Sequence, residues 1–398
     1  MRITFAMTTG LERPAGRRYF PIARELVKRG HQVRILALHP DLANCPQRRY
    51  TRDGVEIWYV GQMHARKHGS QTIHFGPLAL LLVLARSTGG MAWGLLCSPA
   101  DVYHLCKPQP INGLAALLVI TLLRRQHFYV DWDDDEVKGN RLTAGWQRAV
   151  FGFWQWLLPA FAAGTTVNTT FLAERLRVRG IEPVVLVPNG ADRAAFHRPT
   201  KAQLAGLRAS LGLEGRRVIA YAGTLSLQNH PVDLLVAAFA LLTTRLPDVA
   251  LLIIGGGEDL EALRGDVARR GLEDRVYFTG HVAHRFVPHL LALAELSVDP
   301  VHDDDVARAR SPLKLYESFA LGVPVVTGAV GDRAATLAAG GGWLCPPDDA
   351  QALADTLADA LGDPVGLREQ AARATARAAD FEWLALAAHW ATVYTDRK

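Results

Sequence analysis

Hydrophobic and polar positions alternate between two periods along the whole chain. Short runs rich in Val, Ile and Leu are typical of buried strands. The longer segments between them carry apolar residues three or four positions apart, which is typical of helices. The pattern opens with a strand at Arg2–Met7 and, after a glycine-containing loop, a helix at 19–29. In the same half it predicts strands at 32–38, 55–60, 102–105, 128–131, 164–168 and 184–187.

A second series of the same kind begins with a strand at 217–223, after a turn at 188–190. Alternating strands and helices indicate an α/β fold built on parallel sheets. A length of 398 residues is more than one core usually supports, so two domains are expected. The second series predicts helices at 232–245, 259–270 and 287–294, and strands at 250–254, 276–279 and 296–301.

The segment 311–326, which reads SPLKLYESFALGVPVV, bears most directly on function. Ser311 is expected to cap a helix that has Pro312 at its first position and Gly322 at its C-terminal end. Unpaired N–H groups at a helix N-terminus suit a phosphate. Glu317, one turn inside, could accept hydrogen bonds from ribose hydroxyls. The segment therefore predicts a site for a nucleoside diphosphate, the alternative being an ordinary helix with an exposed Glu.

This segment resembles the signature of family 4 glycosyltransferases, which have the GT-B fold. Members typically carry two Glu residues separated by seven others, and then an A-x-G-x-P-V-V run. Glu317 matches the second Glu, whereas Ala309 stands at the first, and this chain resembles a branch with S-P-L-K-L-x-E that also lacks the first. The stretches 188–196 and 342–349 resemble the family's P-N-G-x-D-x-x-x-F linker and its G-x-L-x-P-P-x-D turn.

The resemblance implies two Rossmann-like domains that face each other across a cleft. The expected boundaries are an acceptor-side domain at 1–187, a linker at 188–200, a nucleotide-sugar-binding domain at 201–380, and a C-terminal helix at 381–398 that packs back on the first domain. The implied activity is retaining transfer of a sugar from a nucleoside diphosphate sugar to a hydroxyl of a glycan or lipid-linked acceptor, with no obligatory cofactor or metal. A non-catalytic sugar-nucleotide or glycan-binding relative and a sugar-nucleotide epimerase are the alternatives.

On the donor side, the resemblance assigns contacts to glycines in two loops and to the signature helix. Gly16 follows the first strand, and Gly256 lies in the triplet after the strand at 250–254. Val282 is implied to contact the base. Leu313 and Lys314 begin the signature helix, where the phosphates are expected. Without the resemblance, the glycine triplet would simply predict a tight turn between a strand and a helix.

The chain departs from the family where an Arg and a Lys usually meet the diphosphate. Thr224 stands at the Arg position, and Asn229 or His230 stands at the Lys position. Because uncompensated phosphate charge would be costly to bury, other cations are expected to replace them. The candidates, which flank the signature helix, are Arg308, Arg310 and Lys314. Solvated loop charges are the alternative for the two arginines.

On the acceptor side, two strand ends carry candidate catalytic residues. His104 lies in a strand resembling the family's D-V-x-H-x-H, although a core histidine is the alternative. The next strand runs into the acidic segment 131–136, where Asp131 and Asp133 lie nearest to the strand. Either carboxylate could bind an acceptor hydroxyl and take its proton. A solvated acidic loop or a bound divalent ion is the competing interpretation.

Charge and cysteine content limit the kinds of binding partner and metal site that are expected. The net charge of +5 and the pI of about 9.1 indicate an anionic partner, but the charges are dispersed, so nucleic acid is not favoured. The four cysteines lack zinc-site spacing and predict no disulfide framework. The chain opens directly into a strand with no secretory pattern, which predicts a cytoplasmic protein.

Three apolar stretches bear on contact with a membrane. No apolar run reaches the roughly 20 residues that a membrane helix needs, and 78–85 and 114–123 are expected to be buried helices of an α/β domain. The aromatic-rich stretch 146–158 favours core packing over a face that meets lipid or a lipid-linked acceptor. Peripheral contact with the inner face of a membrane is what the second of these interpretations predicts.

Overall fold

The structure is a computed structural model that describes residues 1–68, 71–140, 142 and 144–395. The chain divides into two compact units, each with its own sheet. The first unit contains Met1–Pro188, the short segment Ala309–Ser311 and the C-terminal segment that begins at Trp383. The second unit contains Asn189–Arg308 and Pro312–Glu382.

The first unit has an eight-stranded sheet in the order β10-β9-β8-β7-β1-β2-β4-β3. Neighbouring strands are parallel except for β3 and β4, while β5 and β6 form a separate antiparallel hairpin. The strands are β1 (Arg2–Met7), β2 (Gln32–His39), β3 (Arg49–Arg52), β4 (Val55–Gln62), β5 (Ala65–His68), β6 (Gln71–His74), β7 (Val102–Cys106), β8 (Tyr129–Trp132), β9 (Thr165–Val167) and β10 (Val184–Leu186).

Helices cover both faces of this sheet. Side chains alternate between faces along a strand, so Ala6 of β1 packs on one layer of helices while Phe5 packs on Trp390 from the other layer. The helices of this unit are α1 (Gly16–Lys28), α2 (Pro77–Leu96), α3 (Pro110–Ala116, continued by a π-helical segment at Leu117–Leu123), α4 (Gly145–Phe161) and α5 (Thr170–Arg177). The C-terminal helix Trp383–Ala391 lies against α1.

The second unit has a six-stranded parallel sheet in the order β13-β12-β11-β14-β15-β16. Its chain order reverses between β11 and β14, as in a doubly wound Rossmann-like sheet. The strands are β11 (Arg217–Ala222), β12 (Val249–Ile254), β13 (Val276–Phe278), β14 (Leu296–Asp299), β15 (Val325–Gly328) and β16 (Gly342–Cys345). These positions confirm the predicted α/β class with parallel sheets.

The helices of the second unit pack on a core of buried Val, Leu and Ile side chains. They are α6 (Lys201–Ser210), α7 (Val232–Thr243), α8 (Leu260–Arg269), α9 (Val287–Leu291), α10 (Asp305–Arg308), α11 (Leu313–Ala320), α12 (Arg333–Leu337), α13 (Ala350–Gly362) and α14 (Pro364–Arg377). The helix of the first unit that begins at Trp383 is therefore α15.

The expectation that 78–85 and 114–123 are buried is wrong. Leu78 is 84% exposed and Leu122 is 66% exposed, because each helix turns only one side to the sheet. Among the residues that the structure describes, α2 is the one helix that is long and apolar enough to cross a membrane. Its most apolar 18 residues have a mean hydropathy of 1.5, and 22% of them are buried. An apolar run alone does not tell which side of a helix faces the core.

Candidate functional site

The signature helix α11 begins one residue later than the sequence predicts. Pro312 has an extended backbone, with ψ of 114°, so it occupies the cap position and the helix begins at Leu313. Ser311 is buried and precedes the cap, and the cap residue makes no side-chain hydrogen bond to the helix. The prediction of Ser311 as the cap is therefore corrected, and Leu313 and Lys314 form the first turn.

The end of α11 lies where the sequence predicts it. Gly322 has a φ of +66°, in the left-handed region that favours glycine. The N–H of Val323 donates to the carbonyl of Ser318, which closes the helix with a Schellman turn. The Ser318 hydroxyl also accepts a hydrogen bond of 2.8 Å from Ser297 on β14. Helix α11 is thus fixed to the sheet from one side.

Glu317 lies inside the unit, one turn into α11. It is only 6% exposed, and its Oε1 is 3.0 Å from Nε2 of His284. His284 begins a single 3-10 turn and packs its ring 5.2 Å from that of Phe196. The alternative of an exposed Glu is wrong, because the carboxylate is held in the interior by an imidazole. Sequence reasoning missed His284, which carries no motif of its own.

Lys314 points its ammonium group inward, onto β14. Its Nζ lies 3.0 Å from Asp299 Oδ1 and 4.3 Å from the centre of the Tyr221 ring, while Arg333 donates to the other oxygen of Asp299 at 2.9 Å. Burial alone would raise the pKa of Asp299, but Lys314 and Arg333 together hold that pKa well below its usual value. Lys314 therefore anchors the start of α11, and sequence reasoning missed both Asp299 and Arg333.

The other two predicted phosphate cations also lie beside carboxylates. Arg308 pairs with Asp303 at 2.9 Å, and both side chains are exposed. Arg310, which belongs to the first unit, lies 3.2 Å from Asp134. A diphosphate would have to share or displace these partners. Compensation of the diphosphate by these cations stays a prediction.

The loop after β11 holds the residues that replace the family's Arg and Lys. Thr224 is exposed, and its carbonyl accepts a hydrogen bond from Tyr221. The backbone N–H groups of Asn229 and His230 both donate to the carbonyl of Ser226, which closes a tight turn. The side chains of Asn229 and His230 are half-buried. Their contact with a donor stays a prediction.

The predicted donor-loop glycines are required by close packing of the backbone. A β-carbon on Gly257 would lie 2.0 Å from the carbonyl oxygen of Leu225, and one on Gly256 would lie 3.1 Å from the backbone nitrogen of His281. A β-carbon on Gly16 would lie 1.9 Å from the carbonyl oxygen of Leu11. The tight-turn interpretation thus accounts for Gly256 and Gly257, and close backbone packing accounts for Gly16. Contact of Gly16 or Gly256 with a donor stays a prediction. Half-buried Val282 packs on the core formed around β11 and β12.

Asp131 lies in the interior of the first unit. Arg18 donates to both of its oxygens at 2.9 Å, and Tyr19 and Thr166 donate to it at 2.9 and 2.6 Å. Burial lowers the pKa of Arg18, but the adjacent carboxylate outweighs it and raises that pKa. The predicted placement of Asp131 at an open strand edge is corrected, because the carboxylate is 0% exposed and already accepts four hydrogen bonds.

His104 is a core histidine. Its Nδ1 is 2.9 Å from the hydroxyl of Tyr394, its Nε2 is 3.3 Å from that of Thr166, and the ring of Trp390 lies 4.5 Å away. Burial, and then the charge of Arg18, lower the pKa of His104 well below its usual value. The alternative of a core histidine therefore fits, and an acceptor cannot reach this buried side chain.

Asp133 is the predicted carboxylate that reaches solvent, with 11% of its side chain exposed. Lys107, which adopts a φ of +75°, holds Asp133 at 2.8 Å and Glu136 at 3.1 Å. Burial raises the pKa of Glu136 against the opposing charge of Lys107. Asp135 pairs with Arg175 at 2.8 Å. The interpretation of a solvated acidic loop is therefore wrong, because basic side chains match these carboxylates.

Comparisons with known proteins agree with this architecture. A family model described as glycosyl transferases group 1 matches residues 206–379, and one described as glycosyl transferase 4-like domain matches residues 15–190. The structure of Anabaena Alr3699/HepE in complex with UDP and glucose aligns with a TM-score of 0.73 at 17% identity, covering 99% of both chains. At that identity the likeness shows the fold.

Two curated relatives match part of the chain. The alpha-D-kanosaminyltransferase of Streptomyces kanamyceticus is 31% identical over 174 residues, which is 44% of this chain and 43% of the relative. The GDP-mannose-dependent alpha-(1-6)-phosphatidylinositol monomannoside mannosyltransferase of Mycolicibacterium smegmatis is 30% identical over 181 residues, 45% of this chain and 47% of the relative. The chain thus spans about half the length of these two relatives. Because family models match both of its parallel α/β units, the chain belongs to the family 4 glycosyltransferases of the GT-B fold.

Proposed function

We propose that the chain transfers a sugar from a nucleoside diphosphate sugar to a hydroxyl group of an acceptor. The observation that carries the proposal is Glu317, a carboxylate buried one turn inside α11 with the imidazole of His284 as its hydrogen-bond partner. The relatives support a nucleotide-sugar donor, since HepE was solved with UDP and glucose and the mycobacterial enzyme is named as GDP-mannose-dependent.

We assign donor binding to helix α11. It follows β14, so it starts near the carboxyl edge of the second sheet, where α/β proteins bind ligands. The N–H groups at Leu313 and Lys314 and the helix dipole favour a phosphate there. Glu317 would accept hydrogen bonds from the ribose hydroxyls. Lys314 and Arg333 support this arrangement by fixing Asp299 beneath the start of the helix.

The chemistry follows from the family resemblance, which implies retention of the anomeric configuration and a hexosyl donor. The acceptor hydroxyl attacks the anomeric carbon while the bond from that carbon to the phosphate oxygen breaks. The hydroxyl proton passes to the leaving phosphate, so no cofactor or metal enters the step. Stabilisation of the charge on the leaving group is the main contribution expected from the protein. We assign orientation of the acceptor to Asp133, which reaches solvent, and not to Asp131.

The proposed acceptor is a hydroxyl of a glycan or of a lipid-linked sugar, and the proposed location is the cytoplasm at the inner face of the membrane. One relative supports a lipid-linked acceptor, because its name specifies phosphatidylinositol monomannoside. An epimerase would instead alter the donor sugar without an acceptor, and a binding protein would leave the donor intact.

The first test begins with a thermal-shift screen of UDP, GDP, ADP and dTDP, in which bound nucleotide raises the unfolding temperature. Calorimetric titration of the preferred nucleotide and its sugar conjugates should then show at least tenfold weaker binding to Glu317→Gln. The reason is that the variant keeps the shape of the side chain but loses the charge that binds the ribose. Glu261→Gln, an exposed glutamate of the same unit, is the matched control and should bind like the parent.

Unchanged affinity in Glu317→Gln would remove the assignment of Glu317 to the ribose. The release of nucleoside diphosphate is then measured with and without glycan and lipid-linked acceptors. This measurement distinguishes a transferase, an epimerase and a binding protein. A transferase releases the diphosphate only with acceptor, an epimerase converts the donor alone, and a binding protein does neither. Either of the last two results would contradict the proposed activity.

A further inference from the structure

Three helices of the first unit expose an unusual share of the large apolar side chains. Of the 21 large hydrophobic residues exposed in the described chain, 13 lie on α2, on α3 with its π-helical continuation, and on α4. We call these 13 residues the apolar helix face. They are Leu78, Leu81, Leu82, Trp93, Leu96, Leu114, Leu118, Leu122, Leu123, Trp146, Val150, Phe153 and Phe161.

The three helices are neighbours in one layer. Helix α3 contacts both α2 and α4, and the inner sides of all three contribute to one core cluster. The contact between α3 and α4 is close, since a β-carbon on Gly113 would lie 2.7 Å from Leu158 Cδ1. Their outward sides therefore form a continuous surface. Soluble proteins rarely leave such a large apolar surface exposed unless it binds something.

The charges on these helices are of one sign. Residues 77–96, 110–125 and 145–161 contain no Asp or Glu but four arginines, at positions 86, 124, 125 and 148. The whole chain has 39 acidic residues, so their absence from three consecutive surface helices is notable. Apolar and aromatic side chains together with arginines match the boundary between the headgroups and acyl chains of an anionic bilayer.

We infer that the apolar helix face docks on the surface of an anionic lipid bilayer, with the helices lying in the plane of the interface. Helix α2 belongs to the folded unit and does not leave it to cross the bilayer. A β-carbon on its Gly90 would lie 2.0 Å from the carbonyl oxygen of Val60, and one on its Gly94 would lie 2.9 Å from Val60 Cγ1. These glycines allow α2 to lie directly on β4.

Docking in this orientation would bring a lipid-linked acceptor to the carboxyl edge of the first sheet. Only this statement about the acceptor rests on the proposed function. Helix α3 follows β7 and α4 follows β8, so both helices start near the carboxyl edge of the sheet, close in sequence to Lys107 and Asp133. A sugar carried on a membrane lipid would approach that edge from the interface. Lipid binding itself requires no turnover and is measured separately.

The test is flotation of the full chain with phosphatidylcholine vesicles that contain either no anionic lipid or one quarter phosphatidylglycerol. The parent should bind the anionic vesicles at least tenfold more strongly. The variant Leu78→Ser/Leu122→Ser/Phe153→Ser changes one residue of the face on each helix and should lose at least tenfold in vesicle binding. The matched control is Val178→Ser/Val365→Ser/Leu384→Ser, whose residues are similarly exposed but lie elsewhere, and it should bind like the parent.

Charge is tested separately. Arg86→Gln/Arg125→Gln should lose the preference for anionic vesicles and depend less on salt concentration than the parent. Denaturant unfolding followed by tryptophan fluorescence should give a cooperative transition in every variant, which shows that the first unit is folded, since eight of the nine tryptophans lie in it. Calorimetric binding of the preferred nucleotide should also be unchanged.

Three results would overturn the proposal. The first is a parent chain that floats with neither vesicle, and the second is equal vesicle binding by the face variant and its control. The third is a parent that sediments as a dimer while the face variant is a monomer and no vesicle binding occurs, because a second copy would then cover the face. Loss of vesicle binding with unchanged transfer to a soluble acceptor would support the proposal and leave the proposed activity standing.

Discussion

Each of the two sheets has a buried aspartate near the end of a strand, and cations from helices of the same unit pair with it. At the end of β8, Asp131 is held by Arg18, and at the end of β14, Asp299 is held by Lys314 and Arg333. The units differ in the partners of their other candidate carboxylates. In the second unit Glu317 is buried as well, but its carboxylate is hydrogen-bonded to an imidazole.

The difference separates groups that maintain the fold from groups that can bind a ligand. Removing one partner of a buried ion pair leaves an uncompensated charge, so such pairs are expected to hold the backbone in place. A carboxylate held by one imidazole keeps hydrogen-bonding capacity for the hydroxyls of a ligand. Asp133 in the first unit is intermediate, since Lys107 holds it but part of it reaches solvent.

The largest effect expected from this comparison is on stability. Arg18→Gln should lower the free energy of unfolding of the first unit by about 3–5 kcal/mol, because Asp131 would be left charged in the interior. Eight of the nine tryptophans belong to the first unit, so denaturant unfolding followed by tryptophan fluorescence reports on it. Arg2→Gln, which breaks the exposed pair with Asp101, should cost at most about 1 kcal/mol.

The double variant Arg18→Gln/Asp131→Asn sharpens this test. Removing both charges should restore part of the loss, giving a coupling energy within the usual range of about 0.5–3 kcal/mol. If Arg18→Gln proves no more destabilising than Arg2→Gln, the ion pair at β8 does not maintain the fold, and the contrast with Glu317 disappears.

The sequence predicts the strands better than it predicts the partners of the site residues. Apolar runs such as β1 and β12 are recognised because burial on both faces of a parallel sheet requires them. The polar strands β3, β5 and β6 were missed because they lack that signal. The predicted end of α11 at Gly322 is confirmed, since a left-handed residue favours glycine. Its predicted start was wrong because Pro312 adopts an extended conformation.

The charged partners could not be predicted for a different reason. Arg18 and Asp131 are 113 positions apart, and only the parallel packing of β1 against β7 and of β7 against β8 brings them together. The acidic segment therefore suggested an open loop when read alone. The exposed side of α2 is likewise decided by which of its faces β4 covers, and an almost uniformly apolar helix does not encode that choice.

A smaller effect, on rate, is expected at Asp133. Asp133→Asn should lower acceptor-dependent transfer about tenfold. This is less than the roughly 10²- to 10⁴-fold that a proton-transferring base contributes, because Asp133 is proposed only to orient the acceptor. Nucleotide affinity should stay near the parent value, because the donor is assigned to the second unit. Initial rates at saturating donor, together with calorimetry, measure the two quantities. A parent-like rate, or an equal loss of nucleotide affinity, would contradict the division between the units.

The smallest effect is expected at Arg308, the exposed member of the predicted phosphate cations. Its pair with Asp303 is on the surface, so Arg308→Gln should change the free energy of unfolding by no more than about 1 kcal/mol. If Arg308 helps to neutralise the diphosphate, the variant should bind the nucleoside diphosphate about threefold more weakly and the free nucleoside equally well. Calorimetry with both ligands measures this, and Arg264→Gln, an exposed arginine of the same unit, is the matched control. An equal loss of affinity for the diphosphate and the nucleoside would mean that Arg308 forms only a surface ion pair. Donor binding in the second unit would then depend on Glu317.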